Sequence, residues 1–142
     1  MGFYDRLADL PLVVEGHDRR RHERSPRPEF TRATTELRLR GLGVTGAGED
    51  VTYETADHDA FAAADDAGAF DDALAGEWTF GEFAAHLDDV ELWPEPPERE
   101  VSRDYRRWAV ESAALDLALR QAGTTLGGAL DRSYDPVRFV VS

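Results

Sequence analysis

Polar and apolar residues alternate with period two from Phe30 to Leu42: Thr31, Ala33, Thr35, Leu37 and Leu39 fall on one face, Arg32, Thr34, Glu36, Arg38 and Arg40 on the other. Successive side chains of a strand point to opposite faces, so this spacing predicts a half-buried strand. Upstream, Leu12, Val13 and Val14 open a strand-like stretch that runs from Leu10 into polar sequence, and Pro26 and Pro28 punctuate it. Residues 23–29 therefore read as a loop. Downstream, Gly41-Leu42-Gly43 forms a turn, and the β-branched and aromatic residues of Val44 to Glu54 predict a third strand. The three make an antiparallel meander.

After Thr55 the period lengthens. Ala56 to Ala67 reads as an Ala-rich helix, and Thr79 to Val90 as a second, with Thr79 and Glu82 spaced as a capping box. Leu92-Trp93-Pro94-Glu95-Pro96-Pro97 breaks the pattern. Ser102 offers an N-cap for the longest helix, Arg103 to Gln121, closed by Gly123. Along it Tyr105, Trp108, Ser112, Leu115 and Leu119 recur at steps of three and four, with Ala109 beside them, so that stripe is expected to face the core. Truncating Trp108, Leu115 or Leu119 to Ala should then cost about 2–5 kcal/mol. A short helix follows at 125–131, and Pro136 to Ser142 reads as a new strand with nowhere to pair inside this domain.

The length of 142 residues suits one globular domain with a core of its own. Twenty-nine acidic residues against sixteen basic ones give a net charge of −13, which repels polyanions and argues against nucleic acid or an anionic membrane as a partner. All the basic residues are Arg, and the chain has neither Lys nor Cys. Thiol nucleophiles, disulfides, thiolate metal sites and lysine Schiff bases are thereby excluded from these residues. The acidic, Lys-free composition fits either a high-salt cytoplasm or a GC-rich genome. The N-terminus lacks the basic region of a signal peptide, and a cytoplasmic location is expected.

Charge is unevenly placed: Arg19 to Arg40 holds eight Arg, whereas Ala47 to Glu100 holds seventeen acids and the single Arg99. Gly41-Leu42-Gly43-Val44-Thr45-Gly46 matches a dinucleotide-binding pattern, but a strand follows it where that motif requires a helix, so it reads as a β-turn. The Asp pairs between Asp57 and Asp72 lack the alternation and closing Glu of a calcium loop. His17, His22, His58 and His86 have no ligand spacing and are expected to be solvated. Arg19, Arg20, Arg21, Arg24 and Arg27 are expected in a hairpin loop, where guanidinium forks either pair with the acidic middle of the chain or bind an anion.

The order of elements, together with Gly46-Ala47-Gly48-Glu49 and the run from Ala113 to Leu126, resembles the N-terminal capping domain of the enolase superfamily. The first motif is similar to the G-x-G-E of the mandelate racemase and muconate lactonizing branch, the second to its A-x-D-x-A-L…G-x-x-L cap helix. The resemblance implies an α+β fold: a three-stranded antiparallel meander followed by a helical bundle over residues 1–134. Residues 135–142 would begin a missing (β/α) barrel, with 137–142 as its first strand. It implies that this barrel binds Mg2+ and removes a proton alpha to a carboxylate, as in muconate cycloisomerase, succinylbenzoate synthase or epimerase-like enzymes. The catalytic residues and metal ligands would lie there, with no cofactor held by this chain and no catalysis by it alone.

The cap of such enzymes selects substrate through two loops, which the resemblance places at 19–30 and 50–53. It thus nominates Arg24, Arg27, Phe30, Asp50 and Tyr53 as substrate-binding residues. The implied partners are the barrel, in cis or as a separate subunit, and a small carboxylate; a homo-oligomer is compatible. The rival expectation is a free-standing binding module that kept the cap fold without the barrel.

Overall fold

A computed structural model describes residues 2–141 of the chain. It is an α+β fold, with a short first helix α1 (Phe3–Ala8) followed by strands β1 (Pro11–Val14), β2 (Gly16–Arg27), β3 (Phe30–Gly41) and β4 (Val44–Asp50). Then come helices α2 (Thr55–Asp66) and α3 (Asp71–Leu74), strand β5 (Gly76–Thr79), and helices α4 (Phe80–His86), α5 (Ser102–Gln121) and α6 (Leu126–Ala129). Strands β2, β3 and β4 form the expected antiparallel meander. Strand β1 does not join it: it pairs with β5 in a separate two-stranded ribbon, in the register Leu12↔Trp78.

The alternation read in Phe30–Leu42 is the alternation observed. Ala33, Thr35, Leu37 and Leu39 are buried, and β3 turns into β4 through Leu42 and Gly43, both at positive φ, as a two-residue hairpin requires. The loop expected at 23–29 is instead strand almost to its end, and the connection shrinks to Pro28–Glu29. A register shift between Arg24 and Arg27 absorbs Pro26, whose missing N–H a bulge tolerates.

Helix α5 lies across β4. A Cβ on Gly46 would stand 2.3 Å from the Ala113 carbonyl oxygen, and one on Gly48 2.0 Å from that of Ala109, so both positions must be glycine for the helix to come this close. The helix answers with small residues, burying Ala109, Ala113, Ala114 and Ala118 around Leu117. This face is one residue, or about 100°, away from the stripe expected from large side chains. Trp108 is 55% exposed, Ser112 is exposed, Tyr105 and Leu115 are half-buried, and of the expected set only Ala109 and Leu119 are buried. Leu117→Ala should accordingly cost about 2–5 kcal/mol in urea unfolding, and Trp108→Ala less than about 0.5 kcal/mol.

Other boundaries follow local chemistry. The Thr79 hydroxyl accepts from the Glu82 N–H at 3.2 Å while Glu82 accepts from the Thr79 N–H at 2.7 Å, the expected capping box. Its helix ends at His86 and tightens into a 3₁₀ turn at Leu87–Asp89. Ser102 is not the cap of α5 but its first residue, preceded by Val101. Gly123, at φ 67°, follows the end of α5 as expected. At the free edge of β4, on the side away from β3, the Ala47 N–H donates to Asp116 of α5 at 2.9 Å. The C-terminal strand is not formed: 132–141 make no ladder with any described strand, and Val137, Phe139, Val140 and Val141 are exposed. A strand exists only through a hydrogen-bonded neighbour, and this segment has none among the described residues; Ser142 lies outside them. No helix of the described residues is long and apolar enough to cross a membrane.

Candidate functional site

Asp50, expected to contact substrate, lies inside the protein. It is 1% exposed and accepts from Nε of Arg106, which is itself fully buried, at 2.8 Å. Arg106 also donates to the carbonyls of Leu92 at 3.2 Å and Asp57 at 3.1 Å, and its guanidinium packs 3.6 Å from the Trp93 ring centroid and 4.4 Å from that of Phe61. Burial pulls its pKa below the ordinary arginine value, and the Asp50 charge pushes it back up. The second Asp50 oxygen accepts from both the backbone N–H and the hydroxyl of Thr52. His58, expected in solvent, is buried, donating from Nε2 to the Thr52 carbonyl at 2.8 Å, while its Nδ1 meets the Thr35 hydroxyl at 2.8 Å. This network pins Thr52 inward, leaving its neighbours Val51 and Tyr53 41% and 48% exposed.

Tyr53 is the centre of the surface so formed. Phe30, at the tip of the β2–β3 hairpin, stacks on it with centroids 5.7 Å apart. The guanidinium carbons of Arg32 and Arg99 lie 5.0 and 5.1 Å from its ring centroid, within cation–π range. Arg32 is held by donating to the carbonyls of Val51 at 2.6 Å and Thr52 at 3.2 Å. Arg99 donates through Nε to Glu54 at 2.8 Å, and the other Glu54 oxygen is buried without a partner. Three clefts meet at Tyr53. One of about 550 Å³ is bounded by Arg27, Glu29 and Phe30, one of about 580 Å³ by Phe30, Glu54 and Arg99, and one of about 280 Å³ by Arg32, Arg99 and Tyr105.

Of the five nominated residues, Arg27, Phe30 and Tyr53 thus come together. Asp50 instead holds up the turn that presents Tyr53. Arg24 stands opposite Arg32 in register and is exposed, but borders none of the three clefts. Both nominated loops need correcting: the first is mostly strand β2, and the second is the turn after β4. Arg32, Arg99, Ser102 and Tyr105 were not foreseen. The solitary arginine in the acidic block was the signal for Arg99; Arg32 was indistinguishable from the other polar-face residues of its strand.

Of the rest of the Arg cluster, Arg19 and Arg21 reach the acidic middle of the chain. Arg19 bridges Asp65 and Asp66, and Arg21 bridges Glu23 and Asp59. The Arg21 pKa is raised, chiefly by its hydrogen bond to Asp59. For Arg19, burial acts to lower the pKa, but the hydrogen bonds to Asp66 and Asp65 outweigh it. His17 bonds Asp65 at 2.6 Å, His22 bonds Glu36 at 2.7 Å, and His86 bonds the Ala73 carbonyl at 2.7 Å. His17, Asp65 and Asp71 bring ligand-type atoms within 4.8 Å of one another. One Asp65 oxygen is bonded to His17 and the other to the Arg19 guanidinium, so the group is an ion-pair cluster and does not fit Mg2+, which prefers oxygen ligands.

Fold and site define an α+β domain that carries a long helix on a three-stranded meander and presents an arginine–aromatic surface at one end. The chain belongs to the family described as "Domain of unknown function (DUF8230) N-terminal domain", whose model matches residues 5–129. No curated protein and no solved structure matches it.

Proposed function

We propose that this chain is the capping, substrate-selecting domain of an enolase-superfamily enzyme, whose Mg2+-dependent barrel lies outside these residues. The observation that carries the reading is the stacking of Phe30 on Tyr53, which sets the tip of the first nominated loop against the second, so that one surface can close over a barrel mouth. The close packing of α5 on Gly46 and Gly48 supports it by giving the G-x-G-E motif a physical reason. The family's description as an N-terminal domain supports it as well. In this reading 135–142 lead into the barrel, the partner is that barrel with a small carboxylate in it, and the chemistry is proton abstraction by barrel residues. This chain's own residues bind and orient the substrate and exclude water.

The test is loss of the α-proton from a panel of carboxylates in D2O with Mg2+, followed by proton NMR. Exchange is expected from a protein carrying this domain and a barrel, and none from the 142-residue chain alone. Exchange by the isolated chain, or none by the longer protein, refutes the reading. In the longer protein, replacing Arg24 and Arg27 with Ala should raise KM for an anionic substrate about twofold to fivefold, with kcat little changed. An unchanged KM would remove these two residues from substrate selection. A free-standing binding module is the second reading, favoured by the fact that the arginine–tyrosine surface is complete within this chain.

A further inference from the structure

The smallest of the three clefts at Tyr53 differs from its neighbours in charge. Its charged lining consists of Arg32 and Arg99, with no carboxylate. Each of the other four principal clefts among the described residues includes at least one Asp or Glu. In a chain with twenty-nine acidic residues against sixteen Arg, a lining with cations alone is a departure from the surface as a whole.

Arg32 is also prepared for a ligand. Its two carbonyl hydrogen bonds fix the guanidinium, and no carboxylate among the described residues pairs with it. Those bonds use two of its five N–H donors, leaving three. Arg99 is bound to Glu54 through Nε, so its terminal nitrogens keep their donors. The remaining walls are the aliphatic side chains of Val51 and Val101 and the rings of Tyr53 and Tyr105. Ser102 supplies part of the lining; it is 1% exposed, and its buried hydroxyl has no hydrogen-bond partner.

We infer that this cleft of about 280 Å³ binds a small organic carboxylate, with the anion on the forks of Arg32 and Arg99 and a short apolar body between the valines and the tyrosine rings. Carboxylate matches a guanidinium fork in geometry as well as in charge, and apolar walls select an anion that carries carbon over an inorganic one. The inference rests on the reading of this end as the substrate-selecting surface and adds to it a site within this chain, with the two residues that hold the anion. Binding itself needs neither barrel nor Mg2+.

The experiment is a ¹H–¹⁵N NMR titration of the 142-residue chain with sodium benzoate, with ionic strength held constant by sodium chloride and with neutral benzamide as the control. Benzoate should give saturable shifts at 51–53 and 101–105 and at the Arg32 side chain, and bind about tenfold more tightly than benzamide. Arg32→Gln should weaken benzoate about tenfold, the loss expected for a charge-assisted hydrogen-bond pair. Arg32→Lys, which keeps the charge without the fork, should fall between. Should Arg32→Gln lose the dispersion of a folded spectrum, Arg99→Gln carries the same test, since that side chain is 60% exposed. Equal binding of benzoate and benzamide, or no saturable shift at these residues, overturns the inference. A silent titration leaves the cap reading to the proton-exchange assay, and a failed exchange assay leaves a positive titration standing.

Discussion

Replacing Arg106 with Leu should destabilise the chain by about 3–5 kcal/mol, read as a shift in the urea midpoint. The guanidinium is fully buried, and the Asp50 oxygen that accepts from it has no water to turn to when it is gone. Much of the loss is therefore the cost of an uncompensated buried carboxylate rather than the worth of the pair. The double variant Asp50→Asn with Arg106→Met should recover part of it, because no charge is then left unpaired, and a double variant worse than the sum of the singles would contradict this account. The variant reaches beyond stability. Asp50 holds Thr52, and Thr52 sets the outward turn of Val51 and Tyr53, so Arg106→Leu should also loosen the surface on which the proposed function rests. Arg106 itself contributes no pH dependence near neutrality. Its folded pKa lies below the unfolded one, so folding gains from it only as pH rises towards the alkaline range where arginine titrates.

Gly48→Ala should be comparably damaging, costing about 3 kcal/mol or more. A methyl group there would stand 2.0 Å from the Ala109 carbonyl oxygen, a backbone atom that cannot swing aside. Either α5 lifts from β4 or the strand bends, and both undo packing along the buried alanine face. Gly46→Ala should behave similarly, with contacts of 2.3 Å to the Ala113 oxygen and the Leu117 nitrogen. Gly43→Ala is the control: nothing lies within 4 Å of its Cβ, and only the strain of φ 79° is added, about 1 kcal/mol. Equal urea midpoints for Gly43→Ala and Gly48→Ala would show that the helix is not in contact with the strand.

The meander and most helix positions were legible because period-two alternation, a capping box and a Gly-closed turn are local signals. What was not legible depended on partners distant in sequence. Strand β5 is four residues that become a strand because β1 lies beside them. The orientation of α5 was misjudged because its buried face is made largely of alanines, with Arg106 among them, and these small or charged residues outweigh the larger Trp108 and Tyr105 that stay outside. Arg106 could not be read as buried without knowing that Asp50 waits opposite it. The first nominated loop turned out to be strand because cross-strand pairing holds polar residues as well as apolar ones, and the bulge gives Pro26 a place. Asp50 illustrates the limit for the site. Its place at the end of β4 can be read from the sequence, but its burial is decided by a helix that begins 52 residues later.

The carboxylate of Asp116 on the Ala47 N–H has a consequence for how these molecules behave in a crowd. An uncapped outer strand is a template on which a stray peptide, or a partly unfolded copy, can add a further rung and begin a fibril. Here that amide already has its acceptor, delivered by the helix that covers the sheet. On the far side of the sheet, β2 carries arginines tied down to the carboxylates of α2. Addition of a strand is thereby opposed at the Ala47 rung of β4, where an incoming backbone carbonyl would have to displace the Asp116 carboxylate.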